Sequence, residues 1–249
     1  MNRAGPKMPR ASTELHWGTA THPGLVRADN QDALLVAATV FAVADGLGGH
    51  AGGETASHIA VEVFADLARL HDVTAADVRA TGARASARMR ARIADHPERA
   101  DMATTLSALV LASHADGFAL LVHIGDSRIY RLRDGILNQL TVDHTELQEL
   151  IDEGLIDPHR VARYPRRHVV IRALSADAGT GSSPDVTTTR AIAGDRFLLC
   201  TDGLHGRVGD TDICRMLLSE HPQHAADELV ASTLAVGGQD NVTVLVVDI

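Results

Sequence analysis

The chain has 249 residues and a formal net charge of −9, which excludes a nucleic-acid partner, since a phosphate backbone requires a basic surface. Apolar residues make up 45% and aromatics only 3%, so a core of Val, Leu, Ile and Ala is expected, large enough to hide roughly 70–75% of the unfolded surface. Two cysteines, Cys200 and Cys214, are too few for a disulfide framework and point to a reducing cytoplasm, and no run of 18 apolar residues signals a membrane span.

In chain order, the first ten residues, MNRAGPKMPR, are basic and Pro-containing with no apolar stretch, so residues 1–11 read as a flexible tail and 12–249 as one domain. ALLVAA (33–38) and VFAVA (40–44) read as strands. Residues 52–70 read as a helix, because Ala56, Ile59, Ala60, Val63, Phe64, Leu67 and Leu70 share one face. Thr74 with Asp77 forms a capping box for a second helix near 75–95. LSALVLA (106–112) and FALLVHI (118–124) are strands. RIYRLR and ILNQL flank Asp134-Gly135, a hairpin signal. ELQELIDEG (146–154) is a helix stopped by Gly154, and 155–168 is irregular. RFLLC (196–200) and VTVLVV (242–247) are buried strands, with helices near 210–220 and 223–235 between them. Strands in hairpins and helices in pairs favour an α+β fold of antiparallel sheets with helices packed outside.

One feature of the strands repeats. Asp45, Asp126 and Asp202 each stand just past the C-terminal end of an apolar strand, and Asp240 stands just before the N-terminal end of another. In antiparallel neighbours those ends share a sheet edge, so the four carboxylates can converge. Converging carboxylates repel and resist desolvation, and a cation removes both costs. An all-oxygen set suits hard ions, Mg²⁺ or Mn²⁺. Gly46, Gly48, Gly49, Gly52 and Gly53 then let backbone close around the same point. The alternative is four unrelated Asp-Gly-type turns, the reading that fits Asp134-Gly135 and Asp116-Gly117.

RADNQDA, VADGLGGHAGGETAS, MATTL, HIGDSRIYRL, LTVDHT, CTDGL and GGQDNVTV occur in that order over some 230 residues. The pattern resembles the type 2C, metal-dependent protein serine/threonine phosphatases (the PPM family) in their bacterial single-domain form. The resemblance implies a four-layer α-β-β-α sandwich of two packed antiparallel sheets flanked by helix pairs. It implies two core Mn²⁺ or Mg²⁺ ions, with Asp45 bridging both, the Gly46 carbonyl on one, and Asp202 and Asp240 on the other. Asp126 and Asp202 would hold a third, looser ion. Arg27 would clamp the substrate phosphate, and Asn30 and Asp32 would hold waters behind the ligands. His50 would protonate the leaving serine or threonine oxygen. Residues 141–175 would form a flap beside the site. The reaction implied is hydrolysis of phosphoserine and phosphothreonine by in-line attack of a hydroxide shared by the two ions.

The chain departs from the family pattern at four places. Ala103 and Ser175 replace common glycines. His205 and Arg207 follow Asp202 where small polar or acidic residues are more usual, and are expected to tune substrate choice. A cysteine phosphatase is excluded, because six residues separate Cys200 from Arg207 where that chemistry needs five. A zinc enzyme lacks Cys/His ligand spacing, and no phosphate-cradling loop for a nucleotide occurs. Two alternatives stay open: a metal phosphoesterase acting on small molecules, and a non-catalytic phosphoprotein-binding regulator. The expectation is a monomeric cytoplasmic signalling enzyme acting on proteins phosphorylated by serine/threonine kinases.

Overall fold

The structure is a computed structural model that describes residues 15–48, 51–111, 117–157, 164–177 and 180–249. In chain order its elements are β1 (His16–His22), β2 (Ala33–Ala37), β3 (Val40–Ala44), β4 (Gly46–Leu47), α1 (Ala51–Phe64), α2 (Ala75–Asp95), β5 (Ala103–Thr104), β6 (Leu106–Leu111), β7 (Phe118–Ile124), β8 (Arg128–Arg133) and β9 (Ile136–Gln139). They continue with α3 (Glu146–Asp152), β10 (Leu174–Ser175), β11 (Asp185–Arg190), β12 (Arg196–Cys200), α4 (Asp202–His205), α5 (Asp210–Leu217), α6 (Pro222–Ala235) and β13 (Val242–Asp248). No helix among the described residues is long and apolar enough to cross a membrane.

Two five-stranded sheets carry the fold, one ordered β1-β13-β12-β8-β9 and the other β11-β7-β6-β3-β2. Every pairing within them is antiparallel. Side-chain alternation explains why the central strands read as unbroken apolar runs. On β12, Phe197 and Leu199 enter a core between the sheets, while Leu198 and Cys200 face α5 and α6. On β13, Leu245 and Val247 point inward, and Val242, Val244 and Val246 point to the same helix pair. On β3, Phe41 and Val43 join the inter-sheet core, whereas Val40, Ala42 and Ala44 pack under α1 and α2. Each of these three strands therefore buries both faces, and the layers stack helix pair, sheet, sheet, helix pair.

Local signals hold at the element ends. Thr74 and Asp77 form the expected reciprocal capping box of α2. Asp134 and Gly135 both have positive φ, 52° and 76°, the type I′ turn that matches strand twist. The helix expected over 52–70 is α1 followed by a tighter 3-10 stretch, Ala65–Arg69. Two strands carried no apolar signal: β1 (HWGTATH) and β11 (DVTTTR) lie at sheet edges and leave much of their surface exposed. The departures Ala103 and Ser175 are register partners in a small third sheet, β10-β5-β4.

Candidate active site

Gly46 and Gly53 stand where two backbones touch. A Cβ on Gly46 would lie 2.3 Å from the Gly53 backbone, and one on Gly53 would lie 2.7 Å from Gly46. Two facing glycines thus let β4 run against the first turn of α1. Gly48 adds a left-handed turn at φ +102°, which a side chain would strain. Asp45 is pinned at the entrance to this turn. Its N–H donates to Thr105 Oγ1 at 2.9 Å, and its carbonyl accepts from Thr104 Oγ1 at 2.8 Å.

Adjacent strands bring in the other carboxylates. β12 and β13 pair in register through Cys200↔Val244, so Asp202, opening α4, and Asp240, preceding β13, emerge at the same sheet edge. A cleft of about 560 Å³ is lined there by Asp45, Gly46, Asp202, Asp240 and Arg27. Arg27 donates to Asp240 Oδ2 at 2.9 Å. Asp126 lies behind this wall, nearly buried, just past Gly125.

The electrostatics record the crowding. Desolvation raises the Asp45 carboxyl well above the usual carboxylate range, and repulsion from Asp32, Asp202, Asp126 and Asp240 raises it further. Burial, then Asp202 and Asp143, push Asp126 up in the same way. Asp202 is raised by desolvation and Asp240. Asp32 is buried, and its carboxyl is pushed up to about 7. One Asp32 oxygen accepts from Thr201 Oγ1 at 2.9 Å, and the other, Oδ1, has no hydrogen-bond partner.

This donor set fits hard divalent cations. It is all oxygen, it is mutually repulsive without positive charge, and it includes a buried orphan acceptor of the kind a bound water satisfies. Among the described residues no three His, Cys, Asp or Glu side chains already stand close enough together to hold a metal ion.

Asn30 donates to Thr21 Oγ1 and accepts from the Asp32 N–H, bracing the loop that carries Arg27. His50 lies outside the described residues. His205 turns inward: its Nε2–H donates to the Asp126 carbonyl at 2.9 Å, and desolvation holds it at about 3. It therefore supports the Asp126 backbone, whereas Arg207 is exposed on the rim of an adjoining cleft. Cys200 is buried with its thiol pushed up to about 12 by desolvation, an inert group.

Sequence reasoning passed over two residues. Asn241 accepts from the Gln31 N–H at 2.8 Å and donates to the carbonyls of Pro23 and Asp29, both at 2.9 Å. It ties the Arg27 loop to the strand start that holds Asp240, and its signal was the Asp-Asn pair in GGQDNVTV. His168, with Nδ1 3.8 Å from Asp202 Oδ2, reaches the cleft from the 141–175 segment that the family resemblance placed beside the site, although nothing in the sequence singled out this histidine. That segment is fastened by Arg128, whose guanidinium grips Asp143 at 2.7–3.1 Å, and by Arg172 and His144 on Asp185.

A carboxylate-lined cleft with an arginine at its mouth, set at the edge of a four-layer sandwich, defines a metal phosphoesterase type of site. Residues 24–239 match the protein phosphatase 2C family, and the chain belongs to it. It is 40% identical over 247 residues to the serine/threonine protein phosphatase PstP of Mycobacterium tuberculosis, covering 97% of this chain and 46% of that one. The chain thus spans about half the length of that relative. A serine/threonine phosphatase of Listeria monocytogenes is 31% identical over 216 residues, 84% of each chain. The crystal structure of the M. tuberculosis PstP phosphatase superposes with a TM-score of 0.89 at 39% identity, covering 94% of this chain and 98% of that one. The PstP catalytic domain in complex with two manganese ions gives 0.85 at 38% identity, covering 94% and 97%.

Proposed function

We propose that this chain is a phosphoprotein phosphatase that hydrolyses phosphoserine and phosphothreonine monoesters with two Mn²⁺ or Mg²⁺ ions. Asp45, the Gly46 carbonyl, Asp202 and Asp240 would hold the pair, and Asp126 with Asp202 a third, looser ion. The observation that carries the reading is the convergence of Asp45, Asp202, Asp240 and Arg27 on one cleft. Family membership and the manganese-bound relative support it.

When bound, such ions supply Lewis acidity and an acidified water at neutral pH. The chain's own residues do the rest. Arg27 presents a planar fork suited to two phosphate oxygens, and its contact with Asp240 aims it across the cleft. Asp32, with its free buried oxygen, and Asn30 order water behind the ligands. Attack forms a new P–O bond opposite the serine or threonine oxygen, whose bond to phosphorus breaks. His50 is assigned the proton that this alkoxide needs, so the products are inorganic phosphate and a neutral hydroxyl. The 141–175 segment, through His168, is the proposed substrate flap. Free thiols suit a reducing cytoplasm, the proposed setting for a monomeric enzyme that reverses serine/threonine kinase signals.

Phosphate release from a phosphothreonine peptide with Mn²⁺ tests this, beside EDTA and Asp240→Asn controls. Metal-dependent release lost in a folded Asp240→Asn variant is expected. Near-normal turnover by that variant with metal bound would sink the assignment, and no release from the native chain with Mn²⁺ bound would shift it to a small-molecule substrate. His50→Ala should harm phosphothreonine far more than p-nitrophenyl phosphate, whose leaving group needs no proton.

A further inference from the structure

The active-site cleft continues into a second hollow of about 340 Å³, walled by Arg27, His168, Asp202, Arg207, Gln239 and Asp240. Pairing of β12 with β13 places the two loops of this wall side by side. Arg207 follows α4, its N–H bonded to the Leu204 carbonyl at 3.0 Å, with Val208 buried behind it. The Arg207 guanidinium donates to Gln239 Oε1, which fixes it next to Asp240 in the chain.

Charge on this wall is unevenly satisfied. Asp240 has Arg27 at 2.9 Å, and the His168 ring stands 3.8 Å from Asp202. Among the described residues Arg207 makes no ion pair, and its partner is a neutral amide. An exposed guanidinium held by a neutral group, beside a hollow roomy enough for a side chain, has the donors to receive an anion. It opens beside the proposed scissile phosphate, so the anion it meets belongs to a neighbour of the phosphorylated residue.

We propose that Arg207, steadied by Gln239, forms an anion subsite that selects phosphoproteins carrying a carboxylate or a second phosphate next to the residue being dephosphorylated. The subsite is a specificity determinant and takes no part in bond breaking. It rests on the phosphatase reading above.

The test uses phosphothreonine peptides identical except at one neighbouring position (−2, −1, +1 or +2), which carries Gln, Glu, phosphoserine as its non-hydrolysable phosphonate, or Lys in turn. Their kcat/KM is measured with Mn²⁺. Affinity for the matching non-hydrolysable phosphonate peptides is read by fluorescence anisotropy. At one position Glu or phosphoserine should improve both quantities about fivefold over Gln, an exposed charge-assisted contact that weakens in high salt. Arg207→Ala should bring that ratio to about one, and Arg207→Glu should turn the preference towards Lys. Equal responses to Glu and phosphoserine would identify any anion as sufficient, and a larger response to phosphoserine would identify phosphate. A native chain without an anionic preference, or Arg207→Ala retaining it, would overturn the subsite. If no peptide released phosphate while the phosphonates kept the Arg207-dependent preference, the phosphatase reading would fail and the subsite would stand.

Discussion

Asp32→Asn should stabilise the metal-free protein at alkaline pH and leave it unchanged in acid. The carboxyl is buried, one oxygen rests on Thr201, the other has no partner, and burial lifts it from 3.8 to about 7. Between those values the folded chain holds the proton more tightly than the unfolded chain does. Stability therefore falls as pH rises through this window, and at pH 8 the full penalty is present, about 4 kcal/mol. Asparagine keeps the shape and the bond from Thr201 but leaves an amide N–H without an acceptor, at about 2 kcal/mol. The net gain at pH 8 is about 2 kcal/mol, or about 6 °C in melting temperature for a chain of this size. At pH 5 the native carboxyl is already neutral inside the fold. Its residual penalty is about 1.6 kcal/mol, so the two terms nearly cancel. Thermal melts by circular dichroism in EDTA at pH 5 and pH 8 read this directly. A lower melting temperature for the variant at pH 8, or the same change at both pH values, would refute the reasoning.

Three further outcomes follow from the same geometry. Gly46→Ala should cost about 3 kcal/mol of stability through overpacking, since its Cβ would strike the Gly53 backbone; an unchanged melting temperature would contradict that close approach. Asn241→Ala removes three hydrogen bonds to the 23–31 loop and should cost about 2–3 kcal/mol. Faster amide exchange over that loop and a higher KM for phosphopeptide are expected, and unchanged exchange would argue against the tether. His123, lowered to about 4 by burial and by His144, is held neutral between Ser107 and Val142. Its contribution is present above the ordinary histidine value and is lost as pH falls towards 4, about 3 kcal/mol in all. Urea unfolding at pH 7 and pH 4.5 should show a smaller acid loss for His123→Gln than for the native chain, and equal losses would exclude this group as the cause.

Most strands and the main helices were legible in sequence because buried strands and capped helices write their signals locally, whereas the four-layer stacking was implied by the family resemblance. VFAVA, RFLLC and VTVLVV are apolar on both faces since each is sandwiched between a second sheet and a helix pair. Thr74 and Asp77 cap their helix through their own neighbours. Asp45, Asp126, Asp202 and Asp240 stood out because a carboxylate at the end of an apolar run is costly without a purpose. Edge strands β1 and β11 were illegible for the opposite reason, as each hides little surface and needs little apolar character. Tertiary structure alone decided that Arg27 rests on Asp240, that Asn241 ties the loop beneath it, and that His168 reaches Asp202 from a distant segment. It also separated His205 from Arg207, turning the first onto the Asp126 carbonyl and leaving the second on the rim. These contacts join residues far apart in the chain, and their energies come from partners that no local pattern encodes.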